Sequence, residues 1–134
     1  MKLKLALYLS FLFTIVIISC NSDDVEIGKW GDNIKLSQKT VTFDSNANQV
    51  IITTQSKGWW IDLVALNGVY LDLKHLDLLN KDLIINNPQF TIERINGDKL
   101  KISVPKNITN NEKSILISLQ SGNYFDRINI IQNK

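Results

Sequence analysis

Several residue types are scarce in this chain of 134 residues, which contains one cysteine, one histidine and two prolines. A single cysteine excludes an internal disulfide, so the fold has to be held by core packing alone. One histidine and one cysteine also fall short of the three or four ligands that a zinc site uses. No glycine-rich phosphate loop and no EF-hand spacing occur, although calcium bound by loop oxygens is left open.

The lone histidine, His75, is the residue on which any histidine-dependent triad would have to be built. The surrounding segment Lys74-His75-Leu76-Asp77 contains no nucleophile motif. Asp72 and Asp77 could meet as paired carboxylates, but acid and base roles need two different environments, which a sequence does not reveal. We therefore expect a protein that is not an enzyme and that uses no cofactor and no metal.

The first twenty residues have the order of a bacterial lipoprotein leader. Lys2 and Lys4 precede an uncharged apolar run from Leu5 to Ile18. A membrane-spanning helix is the competing interpretation, but it needs roughly 20 apolar residues and this run has about 14. The run ends in Ile17-Ile18-Ser19-Cys20, which resembles a lipobox. We predict that residues 1–19 are a signal peptide and that Cys20 is lipidated and carries acyl chains such as palmitate.

A polar, acidic stretch follows the lipidation site. Asn21 to Glu26 shows no apolar periodicity, and residues 20–32 are predicted to form a flexible tether. Ser-Asp-Asp tracts beside a lipidated cysteine resemble the export signals of surface-displayed lipoproteins of Bacteroidetes-type bacteria. The alternative is a solvated linker that only spaces the domain from the membrane. We expect an outer-membrane lipoprotein on the cell surface, with the periplasmic face left open.

The charge balance excludes one class of partner. Removing the two leader lysines from the fifteen basic residues leaves thirteen, equal to the thirteen acidic residues, so the mature chain has no net charge. No cluster of basic residues follows Cys20. Phosphate backbones are bound by clustered basic side chains, so nucleic acid is not an expected partner.

Residues 33–134 are predicted to form one all-β domain, because apolar residues alternate with polar ones between short turn-forming clusters. Asn67-Gly68 and Asn96-Gly97 are hairpin signals, and Ser121-Gly122-Asn123 marks another turn. Seven to nine short strands at these spacings, with almost no helix, indicate an antiparallel β-sandwich. The alternating sets are Ile34/Leu36, Val41/Phe43, Val50/Ile52/Thr54, Phe90/Ile92/Arg94, Leu100/Ile102/Val104, Ile115/Ile117/Leu119 and Ile128/Ile130.

The segment 74–87 is ambiguous. Leu76, Leu79 and Leu83 fall at helical spacing, whereas Leu78 and the pair Ile84-Ile85 break a clean stripe. We expect one or two helical turns here, with a packed loop as the alternative. Asn86-Asn87-Pro88 ends the segment, because a residue before proline prefers an extended conformation.

Several positions along the predicted strands and turns match the pattern of a known domain family: Trp59-Trp60, Ile102-Ser103-Val104, Asn107, Lys113, Ile115-Leu116-Ile117, Gly122 and Ile128-Asn129-Ile130-Ile131-Gln132. Together they resemble the BACON or BACON-like domain over roughly Ile34 to Gln132. This resemblance implies an immunoglobulin-like sandwich of the kind found in Bacteroidetes lipoproteins and glycan-degrading enzymes, with a carbohydrate- or mucin-binding role. Two features depart from the family: the Leu-rich stretch 71–85 replaces a shorter Gly- and Pro-rich loop, and Lys113 stands where Arg is common.

Aromatic residues are the candidate ligand-binding groups, because sugars lay their apolar C–H faces against indole and phenol rings. The candidates are Trp59, Trp60, Tyr70 and Tyr124, with Phe125 beside the last. Each of them could instead be a core residue, but the neighbours Trp59 and Trp60 cannot both point inward in a regular strand. Asn107-Ile108-Thr109 matches a glycosylation sequon, and we interpret it as a loop in which Asn107 forms a turn.

These observations favour a membrane-anchored, non-enzymatic lipoprotein whose sandwich binds an extracellular ligand, with a glycan as the first hypothesis. The alternative is a structural or protein-interaction module, such as a spacer or an accessory subunit of an outer-membrane assembly. Because the lipid at Cys20 would tie the N-terminus to the membrane, we expect the binding edge at the opposite end of the sandwich.

Overall fold

The computed structural model describes residues 31–134, which form nine strands in two sheets and contain no helix. One sheet has five strands in the order β1-β9-β8-β3-β4, and the other has four in the order β2-β7-β6-β5. The strands are β1 (Thr40–Phe43), β2 (Asn48–Thr53), β3 (Trp60–Leu66), β4 (Val69–Tyr70), β5 (Leu83–Asn87), β6 (Phe90–Ile95), β7 (Lys99–Val104), β8 (Lys113–Ser121) and β9 (Tyr124–Gln132).

The strand order is that of an immunoglobulin-like sandwich. Strands β3, β8 and β9 occupy the places of C, F and G, and β2, β7 and β6 occupy those of B, E and D. All neighbouring strands are antiparallel except β1 and β9, which run parallel from Thr40 beside Asn129 to Phe43 beside Gln132. The predicted β-sandwich of seven to nine short strands is therefore confirmed.

The core lies between the two sheets and is built from the alternating aliphatic residues of the sequence. In the five-stranded sheet, Ile117 lies between Val64 and Ile128, and all three are completely buried. In the four-stranded sheet, Ile92 and Ile102 are paired and equally buried. Burying each such side chain contributes about 1.5–3 kcal/mol, so this interior supplies the stability that disulfides would provide elsewhere.

Two tight turns follow the predicted chemistry. Asn67 and Gly68 have φ angles of 50° and 81°, and Asn96 and Gly97 have 52° and 78°. A type I′ turn needs positive φ at both central positions, which Asn and Gly tolerate better than other residues. The hairpins predicted at these two sites are confirmed.

The helical turns expected within 74–87 are wrong. Residues 71–82 form an irregular loop, and the segment then continues as strand β5. Three side chains in the loop accept hydrogen bonds from the main chain two residues ahead, which competes with helix formation: Asp72, Asp77 and Asn80. Leu73 lies in the core, and Leu76 and Leu78 pack against it. These side chains anchor the loop to the sandwich without a helix.

The segment before β1 also differs from the alternating pattern. Ile34 is fully buried as expected, but Lys35 has a φ of 51°, and residues 34–37 are not a strand. The segment still contacts the end of β2, because the Ser37 N–H donates to the Thr53 carbonyl at 2.9 Å. It closes part of that edge of the four-stranded sheet.

The leader, Cys20 and most of the proposed tether lie outside the described residues, so the predictions about them stay predictions. The domain boundary at residue 33 likewise stays a prediction. Within residues 31–134, no helix is long and apolar enough to cross a membrane.

Candidate functional site

The outward faces of the two sheets differ in chemistry. The five-stranded sheet presents Trp60, Tyr70 and Phe125 outward, and we call this surface the aromatic face. Outward-facing strand residues of the four-stranded sheet include no aromatic side chain. Its central row reads Ile84, Glu93, Lys101 and Ile51, with an ion pair of 3.0 Å between the Lys101 Nζ and the Glu93 Oε1.

Trp60 and Phe125 flank Gln120 at one end of the aromatic face. Trp60 pairs with Gln120 across β3 and β8, and Gln120 pairs with Phe125 across β8 and β9. Two strand spacings separate the rings by about 10 Å. The Gln120 Nε2 donates to the Gly122 carbonyl at 2.8 Å, whereas its Oε1 accepts no hydrogen bond from the described residues. This end therefore offers two partly exposed rings with an amide oxygen between them.

Tyr70 lies at the other end of the aromatic face beside a groove of about 650 Å³. Its side chain is 70% exposed, and it pairs with Ala65 at the edge of the sheet. The groove runs between β3 and the 71–82 loop, and its charged residues are Asp62, Asp72, Asp77 and Lys74. Three carboxylates against one ammonium make it negative.

Two of those carboxylates are oriented by the loop itself. The Oδ1 of Asp72 accepts from the Lys74 N–H at 3.0 Å, and the Oδ1 of Asp77 accepts from the Leu79 N–H at 3.2 Å. Each leaves a second oxygen without a partner among the described residues. Carboxylate oxygens held beside an exposed phenol ring can accept hydrogen bonds from hydroxyl groups.

The two ends of the aromatic face are far apart. Trp60 and Ala65, the partner of Tyr70, lie opposite Gln120 and Leu116, which are four residues apart on β8, because β3 has a bulge between Ile61 and Leu63. This corresponds to about 14 Å. A monosaccharide would contact only one end, whereas a linear oligosaccharide could lie along the strand and contact both.

Trp59, a sequence-predicted candidate, lies in the core with 2% of its surface exposed. Its Nε1 donates to the Thr54 Oγ1 at 2.9 Å and to the Ser56 carbonyl at 3.0 Å. The Arg94 guanidinium lies over its ring, 4.1 Å from the centroid. The expectation that one of the two adjacent tryptophans points inward is confirmed. Trp60 is the tryptophan that is partly exposed on the outer face.

Arg94 is an organising residue that the sequence did not single out. It is 2% exposed and donates to the carbonyls of Lys57, Trp59 and Asn80, and at a longer distance to that of Leu79. The available signal was its place in the inward series of β6 after Phe90 and Ile92.

Tyr124 is partly buried against the core and belongs to an ion-pair network rather than to the aromatic face. Its hydroxyl donates to the Asp126 Oδ2 at 3.4 Å, and the Lys39 Nζ lies 2.9 Å from the same oxygen. The hydrogen bond to Asp126 raises the pKa of Lys39, and partial burial raises the pKa of Tyr124. Asp32 lies 4.0 Å from the Lys39 Nζ, so this network fixes the segment that leads into β1.

Polar residues that carry the sequence resemblance organise the opposite end of the sandwich. The Asn107 Nδ2 donates to the carbonyls of Asn111 and Asn133, and the Gln132 Nε2 donates to those of Asn46 and Pro105. Asn107 is buried and forms the predicted turn. Both hydrogens of the Asn107 side-chain amide therefore already bond main-chain carbonyls within the domain.

Lys113 pairs with Gln132 and is only 5% exposed. Burial lowers the pKa of Lys113, because the charged form loses solvation. Its stem therefore serves as part of the core at this end of the sheet.

The part of the chain that the structure describes contains no group of three or more His, Cys, Asp or Glu side chains arranged to hold a metal ion. His75 is exposed and lines a smaller groove on the other side of the 71–82 loop, away from the 650 Å³ groove.

The comparisons with known proteins identify a shared fold but no family. No protein-family model matches the chain, and no curated protein matches it. Among solved structures, a structure of titin M4 aligns with a TM-score of 0.45 and 12% identity, covering 75% of this chain and 88% of that one. The NMR structure of a protein from Bacteroides thetaiotaomicron aligns with a TM-score of 0.62 and 17% identity, covering 79% of this chain and 91% of that one. The chain therefore shares the β-sandwich fold of a Bacteroides protein.

Proposed function

We propose that this chain is a lipid-anchored, non-enzymatic surface protein that binds an extracellular glycan through the aromatic face. The observation that carries the proposal is the segregation of exposed aromatic side chains onto one outer face, beside a groove with carboxylates. A monomeric sandwich has no structural need for a 70% exposed Tyr70 and a 53% exposed Phe125 on the same sheet. The BACON-like resemblance and the Bacteroides fold neighbour are compatible with this role.

The groove favours neutral or amino-sugar glycans over acidic ones. Asp62, Asp72 and Asp77 surround it with a single lysine, so an added carboxylate or sulfate on the ligand would be repelled. Stacking on Tyr70 would bind the apolar face of one sugar, and the free carboxylate oxygens would accept from its hydroxyls. Trp60 and Phe125 would hold a more distant unit of the same chain.

The tether is long enough for this arrangement. Cys20 and Asp32 are twelve residues apart, which allows a separation of at most about 40 Å from the lipid. Asp32 lies near Tyr124, so the chain would approach the sandwich at the end that carries Trp60 and Phe125. The Tyr70 groove would face away from the membrane, as expected of a binding edge opposite the anchor.

Calorimetric titration of the domain against a panel of neutral, amino-sugar and acidic polysaccharides tests the proposal. We expect binding to at least one neutral or amino-sugar glycan and a loss of about tenfold or more in affinity for Trp60→Ala and for Tyr70→Ala. Ile84→Ala is the matched control, because Ile84 is a similarly exposed apolar residue on the opposite outer face. Failure of every glycan to bind, together with a stoichiometric protein captured from envelope membranes, would favour the interaction-module alternative instead.

Lipidation is tested separately in a bacterial host that processes lipoproteins. The full chain should incorporate a palmitate analogue and partition with membranes, and Cys20→Ala should do neither. Protease treatment of whole cells should degrade the protein if it is displayed on the surface, whereas protection would place it on the periplasmic face.

A further inference from the structure

Among residues 31–134, strand β5 has no partner strand on one edge of the four-stranded sheet. It pairs with β6 on one side only, and Leu83 and Ile85 face the core while Ile84 and Asn86 face outward. Its five residues carry no charge, although exposed edges are commonly protected by lysine, a bulge or an internal proline. This edge lacks those protections.

The register with β6 identifies which main-chain groups are free. Asn87 and Phe90 flank a two-residue turn and pair directly, and hydrogen-bonded pairs alternate along an antiparallel ladder from there. Ile85 and Leu83 therefore bond to β6, whereas the N–H and C=O groups of Ile84 and Asn86 point away from it. No hydrogen bond from another described residue reaches these four groups.

A groove of about 240 Å³ lies along this free edge. The strand side is formed by Ile84, Ile85 and Asn86, and the 71–82 loop contributes Leu71, Leu73, Leu76, Asp72 and His75. The volume admits one or two side chains but neither a helix nor a second folded domain. A single extended chain could fit between the loop and the strand.

The edge formed by β2 differs in this respect. The main-chain groups of Thr53 in β2 already have partners. The Ser37 N–H donates to the Thr53 carbonyl, and the Thr53 N–H donates to the Ser37 Oγ. The β5 edge combines free main-chain groups with an adjoining groove in which leucine side chains lie beside Asp72 and His75.

We propose that β5 is a docking site for an extended peptide segment of another protein, which adds to the four-stranded sheet as a fifth strand. The main-chain groups of Ile84 and Asn86 bond the peptide backbone. The peptide residue opposite Ile85 points inward and places an uncharged aliphatic side chain against Leu71, Leu73 and Leu76. This mode gives affinity through the backbone and selectivity through one pocket. The β5 groove shares Leu71, Asp72, Leu73 and Leu76 with the Tyr70 groove, but its strand side is β5 rather than β3, and the proposal does not depend on glycan binding.

Solution NMR with two short capped peptides tests the proposal. The probe is Ser-Thr-Leu-Thr-Ser, and its control is Ser-Thr-Asp-Thr-Ser, which puts a carboxylate against the leucines and beside Asp72. With the leucine peptide we expect the amide resonances of Ile84 and Asn86 to shift and their hydrogen exchange to slow, with a dissociation constant on the order of 1 mM. The aspartate peptide should bind at least about tenfold more weakly.

Ile84→Pro removes a donor that faces away from β6, which an edge strand tolerates. We expect it to abolish peptide binding, whereas Ile51→Pro, the same change at the β2 edge, should leave binding intact. Thermal unfolding shows whether each variant folds, and the shifts in the unmutated domain stand on their own if Ile84→Pro does not. Shifts confined to other residues, equal binding of both peptides, or self-association through β5 in place of peptide binding would overturn the proposal.

Discussion

At the scale of single residues, the most consequential side chain is the buried Arg94, which forms no ion pair with a described carboxylate, although the charge of Asp82 partly opposes the effect of burial on its pKa. Burial lowers the pKa of Arg94, yet main-chain carbonyls and the face of Trp59 compensate its charge. The guanidinium links the segment before β3 to the end of the 71–82 loop through Lys57 and Asn80. It holds two irregular segments that neither sheet could hold alone.

Replacing this residue should be costly. Arg94→Met keeps much of the volume but leaves several carbonyls without a donor, and we expect a loss of about 3 kcal/mol or more in the free energy of unfolding. Arg94→Lys should be intermediate, because an ammonium cannot bond both segments at once. Urea denaturation measures both changes.

Arg127→Met is the matched control, because Arg127 is exposed on the adjoining sheet. It should alter stability by no more than about 0.5 kcal/mol. Equal losses for Arg94→Met and Arg127→Met would contradict the organising role of Arg94.

The burial of a side chain was predictable where a single rule determined it. It was not predictable where two rules gave opposite answers. Adjacent tryptophans had to diverge, so one inward indole was foreseeable. The sequence did not show that Arg94 is buried, since its alternation predicts an inward position while its charge predicts exposure. Arg94 is buried because its guanidinium finds main-chain carbonyls and the Trp59 ring in the folded protein, and the sequence does not reveal these contacts. Likewise, the partial burial of Tyr124 depends on Lys39 and Asp126, which its own surroundings in the sequence do not reveal.

At the scale of elements, the loop between β4 and β5 acts as part of the core. Leucines at helical spacing suggested a helix, but aspartate and asparagine side chains capture the main chain every few residues. Local hydrogen bonds of this kind outweigh weak helix propensity in a short segment. Of the leucines at helical spacing, Leu76 packs against the core, Leu79 is exposed and Leu83 belongs to β5.

The loop should therefore contain one costly position and one neutral position. Leu73 is 8% exposed, and we expect Leu73→Ala to cost about 2–4 kcal/mol in the free energy of unfolding. Leu79 is 68% exposed, and Leu79→Ala should cost less than about 0.5 kcal/mol. Both are read from chemical denaturation, and similar effects of the two changes would show that the loop does not pack as described.

At the scale of the whole molecule, the stability should depend on pH through the network around Lys39. Main-chain N–H groups of Lys35 and Ile34 lower the pKa of Asp32, and Lys39 adds to this effect. A lowered carboxyl pKa gives stability that is present above about pH 4 and lost as pH falls through the folded value. The raised pKa of Lys39 gives stability that is present below about pH 10.5 and lost as pH rises further.

Asp32→Asn should lower the urea midpoint at pH 7, and its difference from the unmutated chain should shrink as pH falls through the lowered pKa of Asp32, because the protonated carboxyl is neutral like the amide. The expected loss is below about 1 kcal/mol, because both partners are partly exposed. Midpoints measured from acidic to neutral pH test this. A difference that does not change with pH would indicate lost packing rather than lost charge.

The fold class was predictable, because the alternation of apolar and polar residues indicates strands and the Asn-Gly pairs indicate hairpins. Both signals are local in the sequence and both indicate a β-sandwich. Sheet order was beyond the sequence, since it depends on which distant edges meet. The candidate site shows the same limit. Trp60 and Tyr70 were foreseen as separate residues, but their placement on one face requires the bulge between Ile61 and Leu63 in β3 as well as the pairing of β3 with β4.

The parallel pairing of β1 with β9 has a mechanical consequence. The chain approaches β1 at the end of the sandwich that holds Tyr124, and β9 leaves at the opposite end. Tension applied between a lipid at Cys20 and Lys134 would act along these two strands. It would load their hydrogen bonds in shear, all at once, rather than peeling them apart one by one. A sandwich connected in this way can bear force applied between the start of β1 and the end of β9.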